Sequence, residues 1–266
     1  MTDSILFLGT GAADWTLEST EAPLRRFSSV LINGGLLIDP GPHIFHFAQS
    51  FGRQNLYADV TDVLLTHSHA DHFSPATLAC LAQNGPVTLW ADGAVRVLLE
   101  KNEACAAALA EGRLRFRAVP LWEAVCAGGY EVTALAANHA TGLADEAPRH
   151  LCIRTPGGKS IYYGCDGAWL LNRTWKALRA HRFDLMVMDG TIGDGVHGDE
   201  RIFEHSSLEM VRAMCATFRQ SGVVREDGTL CVSHLARTLH GPHTEVEAAM
   251  APDGIQVACD GLVIEL

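Results

Sequence analysis

Short apolar runs recur along the whole chain: SILFLG, SSVLIN, LLIDP, DVLLT, PVTLW, RLRFRAV, YEVTALA, LCIRTP, SIYYG, DLMVMD, LCVSH and GIQVA. Many are bounded by Gly, Pro, Asn or Asp, which is how strands are punctuated. Helical patterns interrupt them. In SSLEMVRAMCATF, Leu208, Val211, Cys215 and Phe218 fall on one face, and Ser206 with Glu209 has the spacing of a capping box, which predicts a helix start. Ser74 as N-cap with Pro75 at the first position predicts a second helix. Leu171, Trp175 and Leu178 mark a third across residues 168–180. Strands cluster in both halves with helices between them. This pattern predicts an α/β chain built as a four-layer αββα sandwich, two mixed β-sheets packed face to face and flanked by helices. No linker, repeat or low-complexity segment divides residues 1–266, so a single domain is expected.

With 48% hydrophobic residues and a mean hydropathy of +0.10, the 266 residues suffice for such a core. No long uninterrupted apolar run suggests a membrane span, and MTDSILFLGTGAADW lacks the basic region and apolar core of a signal peptide, so a cytoplasmic protein without a membrane partner is expected. The eight cysteines are scattered without a Cys-x-x-Cys pair and read as reduced, buried thiols. A net charge of −11 argues against nucleic acid as partner, because phosphate neutralisation by Lys and Arg dominates that affinity.

The segment LLTHSHADHFSP crowds three histidines and an aspartate onto one turn. His67 and His69 alternate with Ser68 at the end of DVLLT, so strand periodicity aims both imidazoles to one side, while Asp71 and His72 turn back before the helix. Two such histidines can hold one metal ion, and the Asp-His pair beside them a second. Each ion needs further protein groups, and three arrive at later strand ends: His139 in LAANHATG, Asp166 in YYGCDGAW and His234 in LCVSHLA. For Asp166 a helix-capping role stays open. His46, His150 and His181, taken singly, read as ordinary histidines.

This ordered set resembles the metallo-β-lactamase superfamily, whose His-x-His-x-Asp-His motif, later His, Asp and final His appear here in the expected order from FLGTGAA to CVSHLARTLH. The resemblance implies that His67, His69 and His139 bind one metal, that Asp71, His72 and His234 bind the other, and that Asp166 bridges them. Ligand type favours zinc, with manganese open. The complete second group looks like the phosphodiesterase and glyoxalase branches. FLGTGAADW followed by RRFSSVLINGGLLIDPGP is similar to tRNA 3′-processing endonucleases and phosphoribosyl cyclic phosphate phosphodiesterases. By that resemblance Asp39 sits in the first motif, where it orients nearby ligands by hydrogen bonds. The GTG turn reads equally as a plain strand end or a phosphate contact.

In DGTIGDGVHGDERIFEHSSLEM, His205 lies just ahead of a helix, as in that branch, and is the candidate proton donor to a leaving oxygen. Glu204 or Asp199 would have to offset the cations and helix end that disfavour its charge. Asp71 counts with His205 among the catalytic groups, and His240 and His243 are candidates for contacting phosphate or the metals' surroundings. The expected activity is a dinuclear hydrolase acting on a small or cyclic phosphodiester through a hydroxide held between the metals. Two features of the relatives are missing, a cysteine cluster for an additional zinc and a long basic Gly-rich arm for tRNA. Lactone or thioester hydrolysis, tRNA 3′ processing and metal or cofactor binding without turnover stay open, as does a homodimer.

Overall fold

The computed structural model describes residues 2–266. Six strands come first: β1 (Ser4–Gly9), β2 (Ser29–Ile32), β3 (Leu36–Ile38), β4 (Asp62–Leu64), β5 (Val87–Ala91) and β6 (Leu114–Ala118). Then follow β7 (Ala124–Ala127), β8 (Tyr130–Ala136), β9 (Arg149–Arg154), β10 (Ser160–Gly164), β11 (Phe183–Asp189), β12 (Val224–Ser233) and β13 (Ile255–Val257), with β14 (Val263–Glu265) last. They form two seven-stranded sheets, in the orders β14-β1-β2-β3-β4-β5-β6 and β13-β12-β11-β10-β9-β8-β7. All the apolar runs named above are strands. The two not foreseen, β7 and β14, are short and mostly exposed, and so carry little apolar signal.

Each sheet is antiparallel through its first connections and parallel thereafter. β3 to β6 run parallel in the first sheet and β10 to β13 in the second. The helices are α1 (Ile44–Ser50), α2 (Pro75–Leu81), α3 (Arg96–Lys101), α4 (Glu103–Ala110), α5 (Asn172–Leu178), α6 (Leu208–Gln220) and α7 (His243–Met250). The strands' period of two explains the layering. Ile5 and Phe7 of β1 point into the space between the sheets with Leu185 and Val187 of β11. Their neighbours Leu6 and Leu8 face a core shared with Phe47 of α1 and Leu78 of α2. Met186 and Met188 of β11 face Leu208, Val211 and Phe218 of α6. Three apolar layers between four layers of backbone make the αββα sandwich.

Local signals shift by small amounts. Pro75 starts α2 behind Ser74, whose hydroxyl accepts from Thr77 N. The N-cap of α6 is Ser207 rather than Ser206: Ser207 Oγ accepts from Met210 N, while the Ser206 hydroxyl donates to Gly167 O. Glu209 accepts instead from Gly195 N. Leu171 precedes α5 and is exposed, so the buried contacts of that helix are Thr174 and Leu178. The GTG turn is a matter of close approach, since a Cβ at Gly9 would lie 1.9 Å from Phe27 O. Among the described residues, no helix is long and apolar enough to cross a membrane.

Candidate metal centre

Parallel strands leave their carboxyl ends on one edge, where crossover loops converge. Asp39 follows β3, the His67–His72 turn follows β4, Asp166 follows β10, Asp189 ends β11 and His234 follows β12. Asp39, Asp166 and His234 all adopt left-handed φ, at 57°, 60° and 61°. Non-glycine residues avoid this region unless their surroundings impose it. β4 stops at Leu64, so strand alternation does not set the two imidazoles. The loop does, with His72 N and Phe73 N both donating to His69 O.

The expected ligands meet in two groups. His67, His69, His139 and Asp166 offer donor atoms within 4.8 Å of one another, as do Asp71, His72, Asp166 and His234. Asp166 belongs to both. Its Oδ2 lies 3.1 Å from His67 Nε2 and 3.0 Å from His72 Nε2, and its Oδ1 lies 2.8 Å from His234 Nε2. His69 Nδ1 is 3.1 Å from both His67 Nε2 and His139 Nε2. Apart from half-buried His69 and His139, these residues are buried, with His72 wholly so.

Hydrogen bonds behind the rings decide which nitrogen carries the proton. Asp39 accepts from His72 Nδ1 at 2.9 Å and from the Thr66 hydroxyl at 3.0 Å, and that hydroxyl in turn accepts from His67 Nδ1 at 3.0 Å. The second sheet repeats the device. The Thr191 hydroxyl donates to Asp189 Oδ1 at 2.7 Å and accepts from His234 Nδ1 at 2.8 Å. His139 Nδ1 donates to Glu204 O at 3.1 Å. The Nε2 lone pairs of His67, His72, His139 and His234 are thereby turned toward Asp166 and one another. His72 Nε2 and His234 Nε2 face each other at 3.2 Å, an arrangement that repels unless a proton or a metal cation lies between them.

The carboxylates favour positive charge here. Burial opposes it, yet Asp166 raises the proton affinity of His234 to about 10 and, with Asp71 and Asp39, lifts that of His72. Burial would raise Asp166, but His234 and His72 hold its carboxyl well below the usual range. His67, under burial and with His72 beside it, is pushed down to about 3.

His205 reaches the same cavity with a different partner from those expected. Glu204 is exposed and gives His139 only its carbonyl, and Asp199 is turned to Arg201, whose backbone N and guanidinium it binds. The carboxylate facing His205 Nδ1 is Asp189, at 2.9 Å, with Asp166 Oδ1 at 3.8 Å. Against burial, Asp189 raises the proton affinity of His205. His240 and His243 do not join the cluster. His240 Nε2 donates to Gly190 O, fixing the segment after Asp189, and His243 Nδ1 accepts from Arg25 Nη2 at 2.7 Å. Both line a separate cavity of about 410 Å³ with Trp15 and Arg25. The metal cluster opens into a smaller one of about 230 Å³, lined also by Ala12–Asp14, Thr191, Arg201 and His205.

Sequence reasoning missed Asp189, Thr191, Arg201 and His150. Asp189 carried a signal, an acid closing the run DLMVMD as Asp166 nearly closes SIYYGCD. His150, read as ordinary, is buried beneath the site: its Nε2 donates to Asp166 O at 3.2 Å and its Nδ1 accepts from the Tyr162 hydroxyl at 2.6 Å. A Cβ at Gly167 would lie 2.6 Å from that Nε2, so the ring's approach requires glycine there.

Comparison with known proteins agrees with this geometry. No curated protein matches the sequence. Zinc-bound PqqB from Methylobacterium extorquens superposes with a TM-score of 0.75 over 99% of this chain and 100% of its own, at 19% identity. The short form of human tRNase Z gives 0.66 over 98% of each chain at 18% identity, and yeast PDE1 gives 0.69 over 100% of this chain and 99% of its own at 11%. At such identities the likeness concerns the fold. The family model described as "Beta-lactamase superfamily domain" matches residues 35–225, which takes in the His67–His72 turn, His139, Asp166, Asp189 and His205. With that match spanning most of the sequence and the sandwich built as in metallo-β-lactamase fold proteins, the chain belongs to the metallo-β-lactamase superfamily.

Proposed function

We propose that this chain is a dinuclear metal-dependent hydrolase that cleaves a small or cyclic phosphodiester, such as a phosphoribosyl cyclic phosphate. The observation that carries the reading is one cavity of about 230 Å³ lined by His69 and His139 of one donor group, Asp71 and His234 of the other, the shared Asp166, and His205, which Asp189 backs from beneath.

The donors fit divalent cations. With His234 carrying its single proton at Nδ1, toward the Thr191 hydroxyl, the buried Asp166 Oδ1 has no donor although His234 Nε2 is only 2.8 Å away, which leaves that oxygen to a cation. His67, His69, His139 and Asp166 would hold one ion, and Asp71, His72, His234 and Asp166 the other. Imidazole with carboxylate suits zinc first and manganese second. Bound cations would neutralise charge developing on the phosphoryl oxygens and make water a stronger nucleophile at neutral pH.

The chain's own groups do the rest. Asp39 with Thr66, and Asp189 with Thr191, hold the ligand rings in the tautomer that leaves Nε2 free. Asp189 keeps the His205 proton at Nδ1, so a second proton on His205 sits at Nε2, which is left to pass it to the departing alkoxide. The small cavity and the acidic chain favour a small substrate over tRNA, as does the lack of a basic arm. Lactone or thioester cleavage at the same donors is the principal alternative.

The test is to assay the metal-loaded protein, with metal content measured alongside, on a cyclic ribose phosphodiester, a nitrophenyl phosphodiester, a lactone, a thioester and precursor tRNA. Cleavage of the diesters with weak dependence on salt supports the proposal. Turnover of only the lactone or thioester overturns it, and efficient tRNA cleavage that falls steeply with salt assigns the chain to tRNA processing instead.

A further inference from the structure

Among the described residues, Arg201 is the only arginine or lysine lining the cavity over the His/Asp cluster, in a chain whose net charge is −11. Two features set it apart from an ordinary surface ion pair. Asp199 fixes it from both ends: the carboxylate caps the short 3-10 turn Glu200–Phe203 by accepting from Arg201 N at 2.9 Å, and it grips the guanidinium through Nε at 2.9 Å and Nη2 at 2.7 Å. The backbone then ties that turn to the site, since His205 N donates to Arg201 O at 2.7 Å. A guanidinium has five N–H donors, and Asp199 uses two, which leaves three on a group whose orientation is already set.

The second feature is depth. The side chains of His67, His72, Asp166 and His234 are at most 2% exposed, whereas that of Arg201 is 40% exposed. Arg201 therefore stands at the mouth, a layer above the donors that face the bond to be broken. A cation there meets whatever protrudes from the reacting group.

Building on the phosphodiester reading, we propose that Arg201 is a specificity-determining residue that binds a second anionic group of the substrate, a terminal phosphate or carboxylate outside the ester being cleaved. The substrate class is then a phosphodiester with a further negative charge on one arm. Asp199 is a positioning residue that presents the free edge of the guanidinium to that charge.

The experiment compares two nitrophenyl alkyl phosphodiesters, one with a plain alkyl arm and one whose arm ends in a phosphate, with a carboxylate-ended arm as a third substrate. The wild-type protein should prefer the charged arms. In Arg201→Met the ratio of kcat/KM for charged over plain substrate should fall roughly 10- to 100-fold, the range for losing charge-assisted hydrogen bonds, and mainly through KM. Arg201→Lys should recover part of the ratio, and Asp199→Asn, which keeps the Arg201 charge but removes the carboxylate that holds both Nε and Nη2 of its fork, should lose part of it. Unchanged melting temperature and metal content separate this from misfolding.

An equal fall on charged and plain substrates, or a wild-type protein with no preference, overturns the proposal. Of the two charged arms, the one on which the ratio falls more identifies phosphate or carboxylate as the group bound. If the wild-type protein cleaves thioesters but no diester, the phosphodiester reading fails by itself. The same comparison on thioesters with and without a terminal carboxylate then decides whether Arg201 reads a second charge.

Discussion

Replacing Asp39 by Asn tests whether the carboxylates behind the rings set the chemistry in front of them. Asp39 is fully buried and receives three donors: Thr66 N at 2.8 Å, the Thr66 hydroxyl at 3.0 Å and His72 Nδ1 at 2.9 Å. Burial pushes its carboxyl up, opposed by His72 and by the Thr66 donors. Asparagine has the same shape but one acceptor oxygen. With that oxygen on Thr66 N, its amide nitrogen faces His72 Nδ1, donor against donor. Either one buried donor goes unpaired, at about 1–3 kcal/mol, or His72 moves its proton to Nε2 and is lost as a ligand.

Removing such an outer partner costs about 10- to 100-fold in metal affinity, or ~1.4–2.7 kcal/mol. Because metal stabilises the fold by mass action, the loaded Asp39→Asn protein should lose about that much of its metal-dependent stability at fixed free metal. At roughly 2–4 °C per kcal/mol for a chain of this size, the shift is readily measured. Metal affinity would come from competition with a chromogenic chelator, and stability from melts with and without metal. Affinity retained within about twofold, with a stability loss confined to the metal-free protein, would refute the tautomer argument and leave Asp39 as a packing residue.

If His205 is the proton donor, His205→Ala should slow cleavage of an alkyl or cyclic ribose phosphodiester roughly 100- to 10,000-fold. It should cost much less on a nitrophenyl diester, whose leaving group needs no proton, and equal losses would assign His205 to positioning. Elemental analysis should find close to two metals per chain, and their verified removal should lower the melting temperature. One ion per chain, unaffected by His72→Ala, would refute the paired site. His43, stacked on Phe27, has its proton affinity pushed down to about 4 by burial, with His46 and Arg26 adding. The unfolded chain titrates near 6.5, so the stability this provides is present above about pH 6.5 and is lost as pH falls toward 4. His43→Gln should therefore lose less stability than the wild type between pH 7 and pH 5 in denaturant melts, and equal losses would clear His43.

The sandwich was legible because each strand is a short apolar run with its own turn residues, and because His67, His69, Asp71 and His72 stand within six residues of one another. What lies behind those side chains was not. Thr66 and Thr191 are unremarkable letters until folding brings their hydroxyls between a carboxylate and an imidazole. Asp199 and Glu204 were natural partners for His205 by proximity in sequence, yet the 3-10 turn commits Asp199 to Arg201, and the parallel pairing of β11 with β12 sets Asp189 and Thr191 beside His234. His240 and His243 follow His234 closely in sequence, but the chain carries them to the other cavity. Local spacing reveals elements and clustered motifs, whereas contacts made across strand ends belong to topology.

The strand order also has a consequence for synthesis. β14 leaves the second half of the chain to pair antiparallel with β1, Ser4 opposite Glu265, so one edge of β1 is covered only after the twelve strands between them have been made. Until then β1 presents unpaired backbone on one side, and within that interval the His67–His72 turn emerges ahead of His139, Asp166 and His234. At ribosomal rates of roughly 5–20 residues per second, that interval lasts on the order of ten seconds or more. A nascent chain of this design carries a half-built, metal-attracting turn until His234 emerges, and an open sheet edge until β14 follows it.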